Sequence, residues 1–168
     1  MHVLVSDTSI LIDLERGHLL ESAFQLPFNF SVSDLLYKRE LRNCNGKQLQ
    51  RLGLKVLELD AGDVSQALVF RKEEPALSLP DTFALTLAYK HNWVLLTGDR
   101  KLEKLAYQEK IDCHSVLWVI DQMYQLQIAD QEILYAGLSK LSNHPRCRLP
   151  HSEIKSRLQL FEINHGAA

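Results

Sequence analysis

The sequence predicts an α/β protein, a three-layer sandwich in which helices cover both faces of a central, mainly parallel sheet, followed by a helical extension. Three observations carry this. Short apolar runs without alternation, such as "HVLVS" and "WVLL", have the pattern of strands covered on both faces. Each is followed by a segment of helical spacing, and strand and helix alternate through most of the first 115 residues. Beyond "IDCHSV" the apolar spacing is helical only.

"HVLVS" is the first expected strand, and "TSILIDLERGHLLESAFQL" shows continuous helical spacing through Ile10, Leu11, Leu14, Leu19, Leu20 and Phe24. "FNFSVS" is a second strand. In "SDLLYKRELRN", Ser33 or Asp34 is placed to cap a helix that ends near Asn43–Gly46. A short helix through "KQLQRLG" leads to "LKVLELD", whose alternation suits a strand near the sheet edge. "AGDVSQALVFRKEE" and "LPDTFALTLAYKHN" are successive helices, the second with Pro80 early, where a missing N–H is harmless. "WVLLTGD" is the next strand, "RKLEKLAYQEKI" the next helix and "IDCHSV" a last short strand. Residues 1–116 form the expected domain and residues 117–168 the extension. In the extension, "LWVIDQMYQLQIADQEILYAGLSKLSN" and "PHSEIKSRLQLFEIN" place Leu117, Ile120, Met123, Tyr124, Ile133, Leu134, Leu138 and Leu141 to pack on the domain or on a partner.

The composition narrows the function. A chain of 168 residues with 19 basic and 21 acidic side chains has a formal charge of -2, which excludes a polycationic binder; contact with nucleic acid must use a local patch. Three cysteines, no signal-like segment and no apolar run of membrane-spanning length point to a reducing cytoplasm and away from a disulfide scaffold or a membrane.

In open parallel sheets functional groups gather at the carboxyl ends of strands. Asp7 ends "HVLVSD" and Asp99 ends "VLLTGD". Asp81 opens a helix, where its charge suits the helix dipole, and Glu40 falls beside Leu36, bordering the expected buried face of its helix. Singly, each acid has an ordinary role as cap, dipole charge, ion-pair partner or turn residue. Held together, four carboxylates repel unless protons or cations offset them, and a set of oxygen donors suits Mg²⁺ or Mn²⁺. Such a cation activates water for attack on a phosphodiester, with Thr8 or Ser9 orienting Asp7 by hydrogen bonding.

"VSDTSILIDL", the glutamate of "SDLLYKREL", "LPDTFALTLAYKHN" and "VLLTGDRKLEKLA" together resemble the PIN-domain family, metal-dependent ribonucleases that include the toxins of toxin–antitoxin modules. The resemblance covers roughly Met1 to Val116 and implies a PIN-like sandwich. It implies that Asp7, Glu40, Asp81 and Asp99 are the four metal-binding and catalytic acids, supported by Thr8, Ser9 and Thr97. It further implies an RNA substrate, a homodimer and, for a toxin, a small antitoxin protein over the site. Two departures stand out. Arg100 and Lys101 follow Asp99 where a further acid is common, with Glu103 a turn later, and Thr82 and bulky Phe83 follow Asp81 where a small residue is usual.

Arg39, Arg42, Arg100 and Lys101, with Lys104, lie close in sequence to Glu40 and Asp99 and suit phosphate contacts, or a solvated helix face. "HPRCRLPH" offers His144, Cys147 and His151, too few ligands for a structural zinc site, and reads as a connecting loop. Two other functions compete: a phosphotransferase of the haloacid-dehalogenase type, whose D-x-D-x-T pattern is broken here by Ser9, and a catalytically silent PIN-like module that binds nucleic acid or protein.

Overall fold

Five strands form one parallel sheet: β1 (His2–Ser6), β2 (Phe28–Ser33), β3 (Lys55–Leu57), β4 (Val94–Leu96) and β5 (Cys113–His114), in the order β3-β2-β1-β4-β5. The computed structural model describes residues 2–162; Met1 and Ile163–Ala168, at the ends of the two expected regions, lie outside them. β1 is central. It pairs with β2 from Phe28 to Ser31 and with β4 from Val94 to Leu96. The chain builds outward from β1 through β2 to β3, then crosses back to place β4 and β5 on the other side. That reversal puts the topological switch point at the carboxyl ends of β1 and β4, the place where such sheets bind ligands.

Helices α1 (Thr8–Arg16), α2 (Leu20–Phe24), α3 (Asp34–Leu36), α4 (Gly46–Leu52), α5 (Ala61–Glu73), α6 (Leu79–His91), α7 (Arg100–Gln108), α8 (Val116–Gln125), α9 (Gln131–Asn143) and α10 (His151–Glu162) complete the fold. The described residues divide into two compact units, one comprising residues 2–11 with Pro27–Val116, the other Ile12–Leu26 with residues 117–162.

In the first unit α6 is the helix closest to the sheet, packing on β1, β2 and β4. Thr82 through Ala88 are all buried, so this helix has no solvent face along its middle. Its buried hydroxyls are satisfied locally: Thr82 Oγ1 donates to the Leu79 carbonyl and Thr86 Oγ1 to the Thr82 carbonyl, both at 2.8 Å. Ser78 caps it, accepting from the Asp81 N–H at 3.2 Å, and Asn92 ends it in the left-handed conformation, φ 54°. Val5, Leu85, Ala88, Leu95, Leu102 and Phe70 share one core cluster with this helix. A second anchor is polar: Lys90 Nζ lies 3.1 Å from Asp60 and 3.0 Å from Asp63, the two residues of the capping box that starts α5.

In the second unit the expected long helix over residues 8–26 is two helices. Gly17 and His18 break it, His18 adopting φ 55°, because the chain turns there: the His18 N–H bonds Glu15 and the Leu19 N–H bonds Leu14. Gly137 of α9 lies against this turn, and a Cβ there would sit 2.8 Å from the Gly17 carbonyl oxygen. The other long helical expectation is also interrupted, at residues 126–130, where Gln127 takes φ 55°. Leu117, Ile120, Met123, Leu134, Leu138 and Leu141 are buried and Tyr124 packs on Phe161, whereas Ile133 is exposed, on the opposite side of α9 from Leu134 and Leu138. Arg157 and Asp121 join α10 to α8 by two bonds of 2.7 Å.

Leu85→Ala removes a fully buried side chain from α6 and is expected to destabilise the protein by about 3 kcal/mol, read as a lowered urea midpoint at unchanged slope.

Candidate active site

The register of β1 against β4 brings residues 7 and 97–99 together. The Asp7 N–H donates to the Leu96 carbonyl at 3.0 Å, extending the ladder one residue past β1. The Asp7 side chain is 4% exposed and fully engaged. Its Oδ1 accepts from Ser9 Oγ at 2.6 Å and from the Ile10 N–H at 3.2 Å, and its Oδ2 accepts from Thr97 Oγ1. The same hydroxyls take bonds from the next loop: Ser9 Oγ accepts from the Gly98 N–H at 3.2 Å and Thr97 Oγ1 from the Asp99 N–H at 3.0 Å. Asp7 is therefore the hub of two strand ends and also caps the first turn of α1.

Burial is the largest influence on Asp7. Burial, with a smaller push from the charge of Asp81, raises the carboxyl from 3.8 to about 6 against the lowering effect of Ser9, Thr97 and the Ile10 N–H. No basic side chain pairs with Asp7 among the described residues.

Asp99 is exposed and opens α7. Its Oδ1 accepts from the Lys101 N–H at 2.8 Å and the Leu102 N–H at 3.1 Å, while its Oδ2 takes no part in the cap. Asp81, in the first turn of α6, is half-buried; burial raises its pKa, Ser78 lowers it by hydrogen bonding, and the charges of Asp99 and Glu40 raise it. The four acids thus share one electrostatic neighbourhood.

Glu40 departs from the sequence expectation. It is exposed instead of bordering a buried face, because the helix over "SDLLYKRELRN" does not continue as α-helix. After α3 the chain makes a π-helical turn over Tyr37–Leu41, closed by the Arg42 N–H on the Tyr37 carbonyl at 2.8 Å. Glu40 Oε2 accepts from Thr8 Oγ1. Of the expected supporting hydroxyls, Ser9 and Thr97 thus bond Asp7, and Thr8 bonds Glu40. The π turn has no signature in apolar spacing.

Arg39, Arg42, Arg100 and Lys101 are all exposed, on the π turn and the first turn of α7, so these basic groups flank Glu40 and Asp99 along the chain. Thr82 and Phe83 are buried. His144 and Cys147 stay within their loop, where the Arg146 N–H donates to His144 Nδ1, and no group of three or more His, Cys, Asp or Glu among the described residues is already drawn together closely enough to hold a metal ion. The donor set of Asp7, Glu40, Asp81 and Asp99 is all carboxylate oxygen, with burial raising the pKa of Asp7 to about 6. This chemistry fits a hard divalent cation, which would relieve both the desolvation at Asp7 and the repulsion at Asp81.

A family model described as PIN domain matches residues 3–162. Among solved structures the chain is similar to a PilT N-terminus domain protein from the hyperthermophilic archaeon Sulfolobus solfataricus P2, at 13% identity and a TM-score of 0.47, covering 86% of this chain and 97% of that one. It is also similar to a chain of a toxin–antitoxin complex from Klebsiella pneumoniae, at 23% identity and a TM-score of 0.46, covering 58% and 88%. No curated protein matches the sequence. No helix among the described residues is long and apolar enough to cross a membrane.

The raised Asp7 carboxyl gives a signed pH dependence. With a folded value of about 6 above an unfolded 3.8, the folded state holds the extra proton between these values, so the contribution of Asp7 to metal-free stability is fully present below pH 4 and is lost as pH rises through 6. The loss attributable to Asp7 is about 3 kcal/mol. Asp7→Asn is expected to abolish this decline and to raise the melting temperature in chelator at pH 7.5 by about 5 °C; melts of both proteins from pH 4 to 8 measure it.

Proposed function

Because the chain belongs to the PIN-domain family, we propose that it is a metal-dependent endoribonuclease in which Asp7, Glu40, Asp81 and Asp99 hold Mg²⁺ or Mn²⁺ and hydrolyse RNA phosphodiester bonds. The observation that carries the proposal is the buried Asp7 carboxylate, fixed by Ser9 and Thr97 with no cationic side chain among the described residues to neutralise it. A divalent cation supplies, when bound, acidified water and neutralisation of charge on the phosphate.

The chain's own groups supply the rest. Ser9 and Thr97 fix both oxygens of Asp7, so its direction does not depend on the ligand. Asp99 commits one oxygen to the α7 cap and keeps the other for the site. Thr8 restrains Glu40, which would otherwise sweep a wide arc from an exposed turn. Arg39, Arg42, Arg100 and Lys101 attract the backbone phosphates to the otherwise acidic site, without reading bases. The reading extends to the toxin of a toxin–antitoxin pair, working as a homodimer, with an antitoxin presenting a basic side chain to the carboxylates.

One set of bonds favours a second reading. Asp7 Oδ1 and Asp99 Oδ1 both cap helices, which accounts for these two acids without any cation and suits a catalytically silent module. The asparagine isostere separates the two, since Asn also caps helices. Asp7→Asn and Asp99→Asn are each expected to lower Mn²⁺-dependent cleavage of a single-stranded RNA at least 100-fold while leaving the far-UV circular dichroism unchanged; full activity in both variants would overturn the nuclease assignment. Replacing Arg100 or Lys101 by Gln is expected to weaken RNA binding evenly across sequences and to reduce the slope of log affinity against log salt by about 0.7 per contact.

A further inference from the structure

Glu40 depends on an unusual piece of backbone, and the structure shows what holds that backbone. The π turn over Tyr37–Leu41 advances the chain with one residue more than an α-helical turn. Such a turn is less favourable than continuous α-helix and persists only when its surroundings demand it.

Here the surroundings are three residues of the segment that follows. Gly46, buried at the start of α4, lies so close to the turn that a Cβ would sit 2.7 Å from the Leu41 carbonyl oxygen and 2.8 Å from Tyr37 Cε2. The Cys44 N–H donates to that same Leu41 carbonyl at 3.0 Å. At the same hydroxyl end of the ring, Tyr37 Oη, itself 2.9 Å from the position of that Cβ, donates to Gln50 Oε1 at 2.8 Å, one turn along α4. The hydroxyl end of Tyr37 is thus held between Gly46 and Gln50. Tyr37 is also the residue whose carbonyl closes the π turn on Arg42.

Relaxation to α-helical bonding would remove one residue's advance, a rotation of about 100° shared over the turn. Glu40 would then leave Thr8. We propose that Tyr37, Gly46 and Gln50 form a clamp that maintains the π turn and thereby positions the Glu40 carboxylate on Thr8, at the acidic site. They are positioning residues: none meets the acids itself. The functional part of this inference rests on the reading of Glu40 as a metal-binding acid, but the geometric part does not.

The test reads the carboxylate directly. In metal-free protein at pH 7, the ¹³Cδ resonance of Glu40, assigned by its loss in Glu40→Gln, reports the hydrogen bond from Thr8. Thr8→Val is expected to shift it, and Gly46→Ala to shift it in the same direction, with no further shift in the double variant. Tyr37→Phe, which keeps the ring and removes only the bond to Gln50, is the milder variant should Gly46→Ala not fold; it is expected to produce a smaller shift of the same sign. A Glu40 resonance unmoved in folded Gly46→Ala and Tyr37→Phe would overturn the proposal. Mn²⁺ titration then separates the two readings. Gly46→Ala is expected to lower Mn²⁺ affinity about 10-fold in the wild-type background and not at all in Glu40→Gln. A shifted resonance with Mn²⁺ affinity indifferent to Glu40→Gln would uphold the clamp and remove Glu40 from the metal site.

Discussion

A carboxylate buried at the end of a central strand is the constraint around which the site is built. Asp7 is nearly inaccessible to solvent, and burial keeps its pKa near 6 despite three hydrogen-bond donors. Those donors come from two different strand ends: Ser9 and the Ile10 N–H follow β1, and Thr97 follows β4. Because Ser9 and Thr97 in turn accept from the backbone of Gly98 and Asp99, the loop after β4 is fixed to the loop after β1 through a single ionisable side chain. A buried charge held this rigidly is destabilising unless something further compensates it. That imbalance is one a bound cation would relieve, and it links the fold to the proposed chemistry.

The sheet order accounts for the shared electrostatic neighbourhood of the acids. With β1 between β2 and β4, the residues following three neighbouring strands emerge at one edge: Asp7 after β1, Asp99 after β4, and Glu40 two short helical segments after β2. Asp81 joins them from α6, whose N-terminal turn is set by Ser78 and whose body is buried against the same three strands. The mutual electrostatic influence of Asp81 with Asp7, Asp99 and Glu40 follows from that arrangement.

The strand ends were legible because a continuous apolar run has few alternatives when it is five residues long and bounded by polar residues. "HVLVSD" and "VLLTGD" therefore place Asp7 and Asp99 correctly along the chain, and the alternation of elements yields the parallel sheet. Apolar spacing carries less information where local geometry overrides it. The continuous pattern from Ile10 to Phe24 hides the break at Gly17–His18, which serves the close approach of Gly137. Ile133 matches the helical spacing yet faces solvent. Glu40 shows the same limit at the site itself. Its direction is set by a π turn that depends on Tyr37 meeting Gly46 and Gln50, contacts between side chains that no periodicity encodes.

The central claim is that the buried carboxylate and its acidic neighbours form a cation site. Thermal unfolding of the wild type and Asp99→Asn at pH 7.5, each with and without Mn²⁺, tests it most directly. Asparagine retains the α7 cap, so the variant loses charge and not fold. The account predicts a Mn²⁺-dependent rise in melting temperature for the wild type that is absent or much reduced in Asp99→Asn. An equal response in the two proteins, or none in the wild type, would contradict it.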